Sequence, residues 1–318
     1  MKDFKVLISI LNWNNWKNTI ETVSSVLKTD YKNYKIIIID NASIDDSCLE
    51  IKNKFPNIEL WGLPVNIGYA GAHKKVALYA QKHGYDLLWI LNNDVHVFPF
   101  TLSEFLLAHE RNKSALLGSV SVEADGKTIH FGGGAELLDN FTNDENTRYN
   151  HFAGKNYYET NIQERSVSDI EGASLVIPVA IIEKCGFMNT RFFLYGEETD
   201  YCYRLRREFN VQSIIVPKAK VIHRSSQSFT ISPNLQCIKE YYFTRNINLV
   251  YKKFVPEYRI TGNGGFPHLF KFFFKHYFLH KSQNKDANYK YLYYKKLGYF
   301  HSLMRFKGKY LEPNNFIK

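Results

Sequence analysis

No stretch of the 318 residues reaches the roughly 18 uninterrupted apolar residues of a membrane span. The opening Met1-Lys2-Asp3-Phe4-Lys5 runs into a strand-like segment without a signal-peptide core, so a cytoplasmic protein is expected. Cysteine is scarce: Cys48, Cys185, Cys202 and Cys237 are far apart and form no metal-type or redox-type pair, which argues against a zinc site or a disulfide framework. The glycine fingerprint of a dinucleotide fold is also missing. Asn12-Trp13-Asn14 stands where a Gly-x-Gly turn would follow the first strand, and this argues against a nicotinamide dehydrogenase.

What is present is a globular composition, 45% hydrophobic and 23% charged, on a chain long enough for a large core. The net charge of +10 is concentrated at one end. From Lys239 onward there are 16 Lys and Arg against 4 Asp and Glu, whereas the preceding residues hold 25 against 27. The same tail carries 22 of the 46 Phe and Tyr. The shift near residue 238 predicts a main domain over 1–238 and a basic, aromatic helical extension over 239–318.

Along the chain, apolar runs of strand length alternate with helical spacing. Strands are expected over 6–11, 35–39, 58–63, 87–91, 115–122 and 170–178, then over 211–216 and 220–222. Helices are expected through Ile20, Val23, Val26 and Leu27, over 43–55 with Ser43 as N-cap, through Ala72, Val76, Ala77 and Ala80, and over 99–111. This alternation predicts an α/β fold with a parallel sheet and helices on both faces. Residues 123–165 lose periodicity and read as loops or a hairpin at the sheet's carboxyl edge.

Several strands end abruptly in polar residues, where ligands of open α/β sheets sit. The fourth, Leu87-Leu88-Trp89-Ile90-Leu91, runs into Asn92-Asn93-Asp94; a polar turn is the plainer reading. Glu197-Glu198-Thr199-Asp200 opens a helix, where carboxylates either complement the helix dipole or supply a general base. His223 follows a strand and is read alone as a structural hydrogen-bonder.

The order of these signals is more specific than any one of them. Asp40-Asn41-Ala42-Ser43, Asn66-Ile67-Gly68, Asn92-Asn93-Asp94, Gly172-Ala173, Phe192-Phe193-Leu194-Tyr195-Gly196-Glu197-Glu198-Thr199-Asp200 and His223 together resemble the family 2 glycosyltransferases, above all the bacterial branch with rhamnosyltransferases and galactofuranosyltransferases. Arg245-Asn246 is similar to a downstream helix of that branch. The likeness implies a GT-A fold, with a nucleotide-sugar half over about 1–115 and an acceptor half over about 116–238.

Carried over by position, the resemblance implies that Asp40 contacts the pyrimidine base, that Asn12, Asn66, Gly68, Asn92 and Asn93 line the nucleotide site, and that Asp94 and His223 bind a divalent cation, Mn²⁺ or Mg²⁺. Glu198 stands where the catalytic base is usually aspartate, leaving Glu197 and Asp200 as alternatives. Asn92 replaces an aspartate found in many members, so Asp94 carries more of the metal site's negative charge. The implied activity is inverting transfer from a UDP- or dTDP-linked sugar to a saccharide acceptor, with a lipid-linked acceptor in view, in bacterial surface polysaccharide or glycoconjugate synthesis.

The basic tail suits a peripheral seat on an anionic inner leaflet through Phe266, Phe270, Phe273, Phe274, Tyr277 and Phe278 among Lys271, Lys275 and His276. Packing on the catalytic domain or on a second copy in a homodimer is the plainer alternative. No nucleic-acid recognition motif accompanies the basic residues. A sugar nucleotidyltransferase is disfavoured because its glycine-rich phosphate loop is missing after the first strand. A non-catalytic sugar-nucleotide-binding or membrane-assembly protein on the same fold is disfavoured by the presence of Asp94, Glu198 and His223.

Overall fold

The computed structural model describes residues 2–134, 152–224, 233–254 and 287–316. The chain forms two compact units, residues 1–188 with 198–228, and residues 189–197 with 229–318.

In the first unit, strands β1 (Val6–Asn12), β2 (Tyr34–Asp40), β3 (Glu59–Gly62) and β4 (Leu87–Asn92) alternate with helices α1 (Trp16–Val26), α2 (Ser47–Lys54) and α3 (Gly68–Lys82). After β4 come β5 (Val95–Val97), α4 (Thr101–Arg111), β6 (Ala115–Val122), β7 (Ile129–Phe131), β8 (Arg165–Val167), β9 (Ser174–Pro178), α5 (Val179–Cys185), α6 (Glu197–Phe209) and β10 (Gln212–His223). Among the described residues one ten-stranded sheet runs β3-β2-β1-β4-β9-β6-β10-β5, with β7 on β6 and β8 on β10.

Successive residues of a strand point to opposite faces, and here both faces are covered. Leu7, Ile37, Ile39, Leu88 and Ile90 pack with the alanine face of α3 and with α5. Ile8, Ile10, Ile36, Ile38, Trp89 and Leu91 pack on the other side with Val23 and Val26 of α1 and with Leu102, Phe105 and Leu106 of α4. Burying each such aliphatic side chain contributes about 1.5–3 kcal/mol, and removing a side chain as large as Phe105 costs about 3–5 kcal/mol.

The sheet is mixed and mostly parallel, as the resemblance to the GT-A fold implies. It is parallel from β3 through β4 and between β6 and β10, but β9 runs antiparallel between β4 and β6. The long excursion after β6 brings the chain back at the sheet's carboxyl edge, so β9 starts where its neighbours end. The two strand-like segments near 211–222 are one strand, β10, with a register shift between Val216 and Lys220. The short β5, which the sequence pattern did not reveal, pairs antiparallel with the end of β10. Ser43 is not an N-cap: α2 begins at Ser47, and the Ser43 hydroxyl donates to Asp40 instead.

The second unit holds α7 (Pro233–Phe254), α8 (Ala287–Leu303) and the loop 189–197. Residue 238, where the composition shifts, lies inside α7. Helices α7 and α8 approach closely at Gly298, where an added Cβ would stand 2.4 Å from the Tyr241 carbonyl oxygen. The polar run expected over 139–150 and the aromatic segment over 266–278 lie outside the described residues. Among the described residues no helix is long and apolar enough to cross a membrane.

Candidate active site

Because β1, β2 and β4 are parallel and in register, Asn12 and Asp40 are direct partners and Asn92 lies beside Leu11, one step before them. Asn12 Nδ2 donates to Asp40 Oδ2 at 2.7 Å and to the Ser43 hydroxyl at 3.1 Å. The Ser43 N–H and hydroxyl close around the same carboxylate at 2.9 and 2.5 Å. Asn93 joins this group by donating to Asn12 Oδ1 at 3.3 Å and to the Thr19 hydroxyl at 3.0 Å. All three residues are buried, and the network sets the direction of the Asp40 carboxylate.

Asn14 belongs with them, although the sequence pattern did not single it out. It holds a positive φ of 50°, accepts from the Ile44 N–H at 2.9 Å, and has a buried amide nitrogen with no hydrogen-bond partner. A buried donor left without a partner has the chemistry to take up an acceptor atom of a ligand.

Asn66 and Gly68 form a neighbouring turn. Asn41 Nδ2 donates to Asn66 Oδ1 at 3.0 Å, which also accepts from the Gly68 N–H at 2.9 Å. Gly68 opens α3 at φ 78°, a conformation that a side chain would strain. No direct hydrogen bond among the described residues ties this turn to the Asp40 carboxylate. Asn92 is partly exposed, and its backbone N–H donates to the Ala173 carbonyl at 3.0 Å.

Asp94 and His223, 129 positions apart in the chain, meet because β10 pairs antiparallel with β5 through His223 and Val95. His223 Nε2 lies 3.3 Å from Asp94 Oδ1, an ion-pair distance without hydrogen-bond geometry, and that oxygen is buried with no hydrogen-bond partner. On its other side, His223 Nδ1 lies 2.8 Å from Glu171 Oε1. Glu171 also accepts from the Ser121 hydroxyl at 2.7 Å, and His130 Nε2 stands 3.5 Å away. Burial opposes charge on His223, but Glu171 and Asp94 outweigh it and push its pKa up to about 10. Burial also opposes charge on Glu171, yet His223 and His130 hold it well below the usual carboxylate range.

Of the three acids at the start of α6, Glu197 and Asp200 are each 2% exposed, whereas Glu198 keeps some accessible surface. Burial of its carboxyl group, reinforced by Asp169 and Glu171, pushes Glu198 up to about 7 against the pull of its own backbone N–H. Burial likewise pushes Asp169 up to about 6, opposed by hydrogen bonds from Ser168 and Thr199.

A family model described as glycosyl transferase family 2 matches residues 7–168, just over half of the chain. This chain belongs to that family. It is similar to an N-acetylglucosaminyl-diphospho-decaprenol L-rhamnosyltransferase of Mycobacterium tuberculosis, 24% identical over 213 residues that cover 61% of this chain and 67% of the relative. Among solved structures it resembles a mannosyltransferase from Pyrobaculum calidifontis in complex with GDP-Man and Mn²⁺, with a TM-score of 0.55 and 11% identity over 96% of this chain and 75% of that one. It also resembles GalNAc-T7 with UDP, GalNAc and Mn²⁺, with a TM-score of 0.54 and 15% identity over 78% of this chain and 48% of that one. The chain thus spans about half the length of the GalNAc-T7 chain. These likenesses establish the GT-A architecture.

The family 2 residues present here fit a divalent cation. An orphaned carboxylate oxygen faces an imidazole nitrogen across 3.3 Å, near the ~3 Å between adjacent ligand atoms around an octahedral ion with bonds of about 2.1 Å. A carboxylate behind a histidine fixes its tautomer and ring orientation, as outer groups of metal sites do. His130, Glu171 and His223 can also offer one ligand atom each within 4.8 Å of one another, but the short Glu171–His223 contact makes Glu171 the support of His223. Neither Glu171 nor His130 stood out in the sequence. The signal that could have found Glu171 is the direction of β9, since a strand entering antiparallel brings its leading residues to the ligand edge.

Proposed function

We propose that this family 2 protein is an inverting glycosyltransferase that takes a sugar from a pyrimidine nucleoside-diphosphate donor to a saccharide hydroxyl. The observation that carries the reading is the buried Asp94 oxygen that has no hydrogen-bond partner and stands 3.3 Å from His223 Nε2 at the sheet's carboxyl edge, next to the Asn12-Asp40-Asn93 network. Asp40 and Asn14 are assigned to the base, Asn66, Gly68, Asn92 and Asn93 to the rest of the nucleotide, and Asp94 and His223 to a divalent cation, Mn²⁺ or Mg²⁺. When bound, the cation would neutralise charge developing on the leaving diphosphate.

Glu198 is the base in this scheme. It combines accessible surface with a pKa near the operating pH, where proton transfer is most effective. Its carboxylate takes the proton of the acceptor hydroxyl as the oxygen bonds to the anomeric carbon, and the bond from that carbon to the diphosphate oxygen breaks on the opposite face. Glu197 and Asp200, both nearly inaccessible, are assigned to holding the helix start.

The rhamnosyltransferase relative carries a decaprenol-linked saccharide in its name, and a lipid-linked acceptor in polysaccharide or glycoconjugate synthesis is proposed here on that basis. A basic, apolar loop supports work at a membrane: Met304, Phe306 and Tyr310 are 51%, 48% and 58% exposed, interleaved with Arg305, Lys307 and Lys309. Transfer or hydrolysis with a panel of nucleotide sugars, with and without Mn²⁺ or Mg²⁺, tests the whole scheme. Activity is expected with one donor and a metal, and is lost in Asp94→Ala and Glu198→Gln; activity independent of metal and of both variants refutes it.

A further inference from the structure

We infer that Arg245 and Asn246 are positioning residues for the transfer reaction, holding the loop that delivers the base; this rests on the assignment of Glu198 above. Both are 0% exposed on α7, in the basic extension that composition alone marks as an appendage. Asn246 Nδ2 shares its two N–H groups among the carbonyls of Phe192, Leu194 and Tyr195 at 2.9, 2.8 and 2.7 Å. Its Oδ1 accepts from Arg245 Nε at 2.8 Å. This pattern sets the orientation of the amide, because a flipped group would turn its oxygen toward three carbonyl oxygens. Arg245 Nη2 reaches the Phe192 carbonyl at 3.0 Å and Nη1 the Gly308 carbonyl at 2.8 Å, while the guanidinium lies 4.8 Å from the ring centre of Tyr242.

The loop needs such holding. Phe193, Tyr195 and Gly196 have φ of 69°, 63° and 84°, so two side-chain-bearing residues occupy a conformation that they adopt only when their surroundings impose it. Gly196 abuts the pair directly, since an added Cβ would meet the Asn246 Cβ at 3.1 Å. Glu197 then opens α6, and Glu198 is the next residue. With no residue of slack between the held loop and the helix start, the carbonyls gripped by Asn246 set where the backbone of Glu198 begins. A general base acts only within hydrogen-bond reach of its proton, so a shift of about 1 Å in that start lowers the rate while leaving the nucleotide pocket at the ends of β1 and β2 untouched.

The test is a double-mutant cycle in the full chain, reading kcat, donor KM, nucleotide affinity by calorimetry and thermal unfolding. Asn246→Asp keeps the shape but replaces the donating amide with an acceptor facing three carbonyls. It is expected to lower kcat about 10- to 100-fold, with donor KM and nucleotide affinity within about twofold of wild type. In the Glu198→Gln background the same substitution is expected to leave the residual rate unchanged, because no base remains to be placed. Arg245→Lys, which keeps the buried cation, is expected to show the same dependence on background with a smaller loss, and decides the matter if Asn246→Asp does not fold. Equal fold-losses in both backgrounds, or a parallel loss of nucleotide affinity, overturn the inference alone. Wild-type transfer by Glu198→Gln overturns the assignment of the base, and this inference with it.

Discussion

Glu171 Oε1 lies 2.8 Å from Nδ1 of His223, across 52 positions of chain. The contact exists because β9 enters the sheet antiparallel to β4, placing its leading residues beside the end of β10. It leaves Nε2 of the imidazole facing Asp94. Replacing Glu171 with Ala is therefore expected to weaken Mn²⁺ binding about 10- to 100-fold, measured by titrating the metal against the purified protein. Glu171→Gln, which can still accept a hydrogen bond, should fall between. Wild-type affinity in both variants would remove Glu171 from the metal site.

The raised pKa of Glu198 gives the reaction a pH signature. With Glu198 as the proposed base, the working form is the carboxylate, so kcat should rise with pH through a midpoint at about 7 and be lost progressively below it. Glu198→Gln should lower kcat roughly 10²- to 10⁴-fold and abolish that limb of the profile. A variant that keeps the wild-type profile rules Glu198 out as the base.

Asp169 links the same region to stability. Its folded pKa of about 6 lies above the ordinary 3.8, so folding favours the protonated form. That contribution is fully present below about pH 4 and is lost as pH rises through 6. Asp169→Asn should thus gain stability over wild type between pH 4 and pH 8, by at most ~3 kcal/mol, in urea unfolding followed at both pH values. A constant difference between the two proteins at all pH values contradicts the buried-acid reading.

The loop from Met304 to Tyr310 offers a test of membrane contact. Arg305→Glu combined with Lys307→Glu should weaken binding to phosphatidylserine-containing vesicles at least roughly tenfold, since each basic residue near an anionic surface contributes about 1 kcal/mol. Binding to neutral phosphatidylcholine vesicles should change little. Equal co-sedimentation of both proteins with anionic vesicles assigns the basic character of this loop to solvation alone.

Much of the first unit was legible in the chain itself. Apolar runs such as Ile36 to Ile39 read as buried strands because both faces of the sheet are covered, and Asp40 and Asp94 stood out as carboxylates at strand ends. The role of Ser43 was misread because a hydroxyl that suits an N-cap equally suits a neighbouring carboxylate, and local spacing does not distinguish the two. The polar inner face of α1, with Thr19 and Thr22 bonded to Asn12 and to the Asn93 carbonyl, has no apolar period to reveal it.

The amino-acid sequence by itself determined the alternation of strands and helices, the family, and which carboxylates stand at the ligand edge, because these follow from local periodicity and the order of short motifs. Only the tertiary structure decided that Glu171 backs His223, that Glu198 alone of its cluster reaches the surface, and that Arg245 and Asn246 grip the loop before it. Strand direction, burial and long-range hydrogen bonds depend on how distant segments pack, and sequence spacing carries no record of which segments will be neighbours.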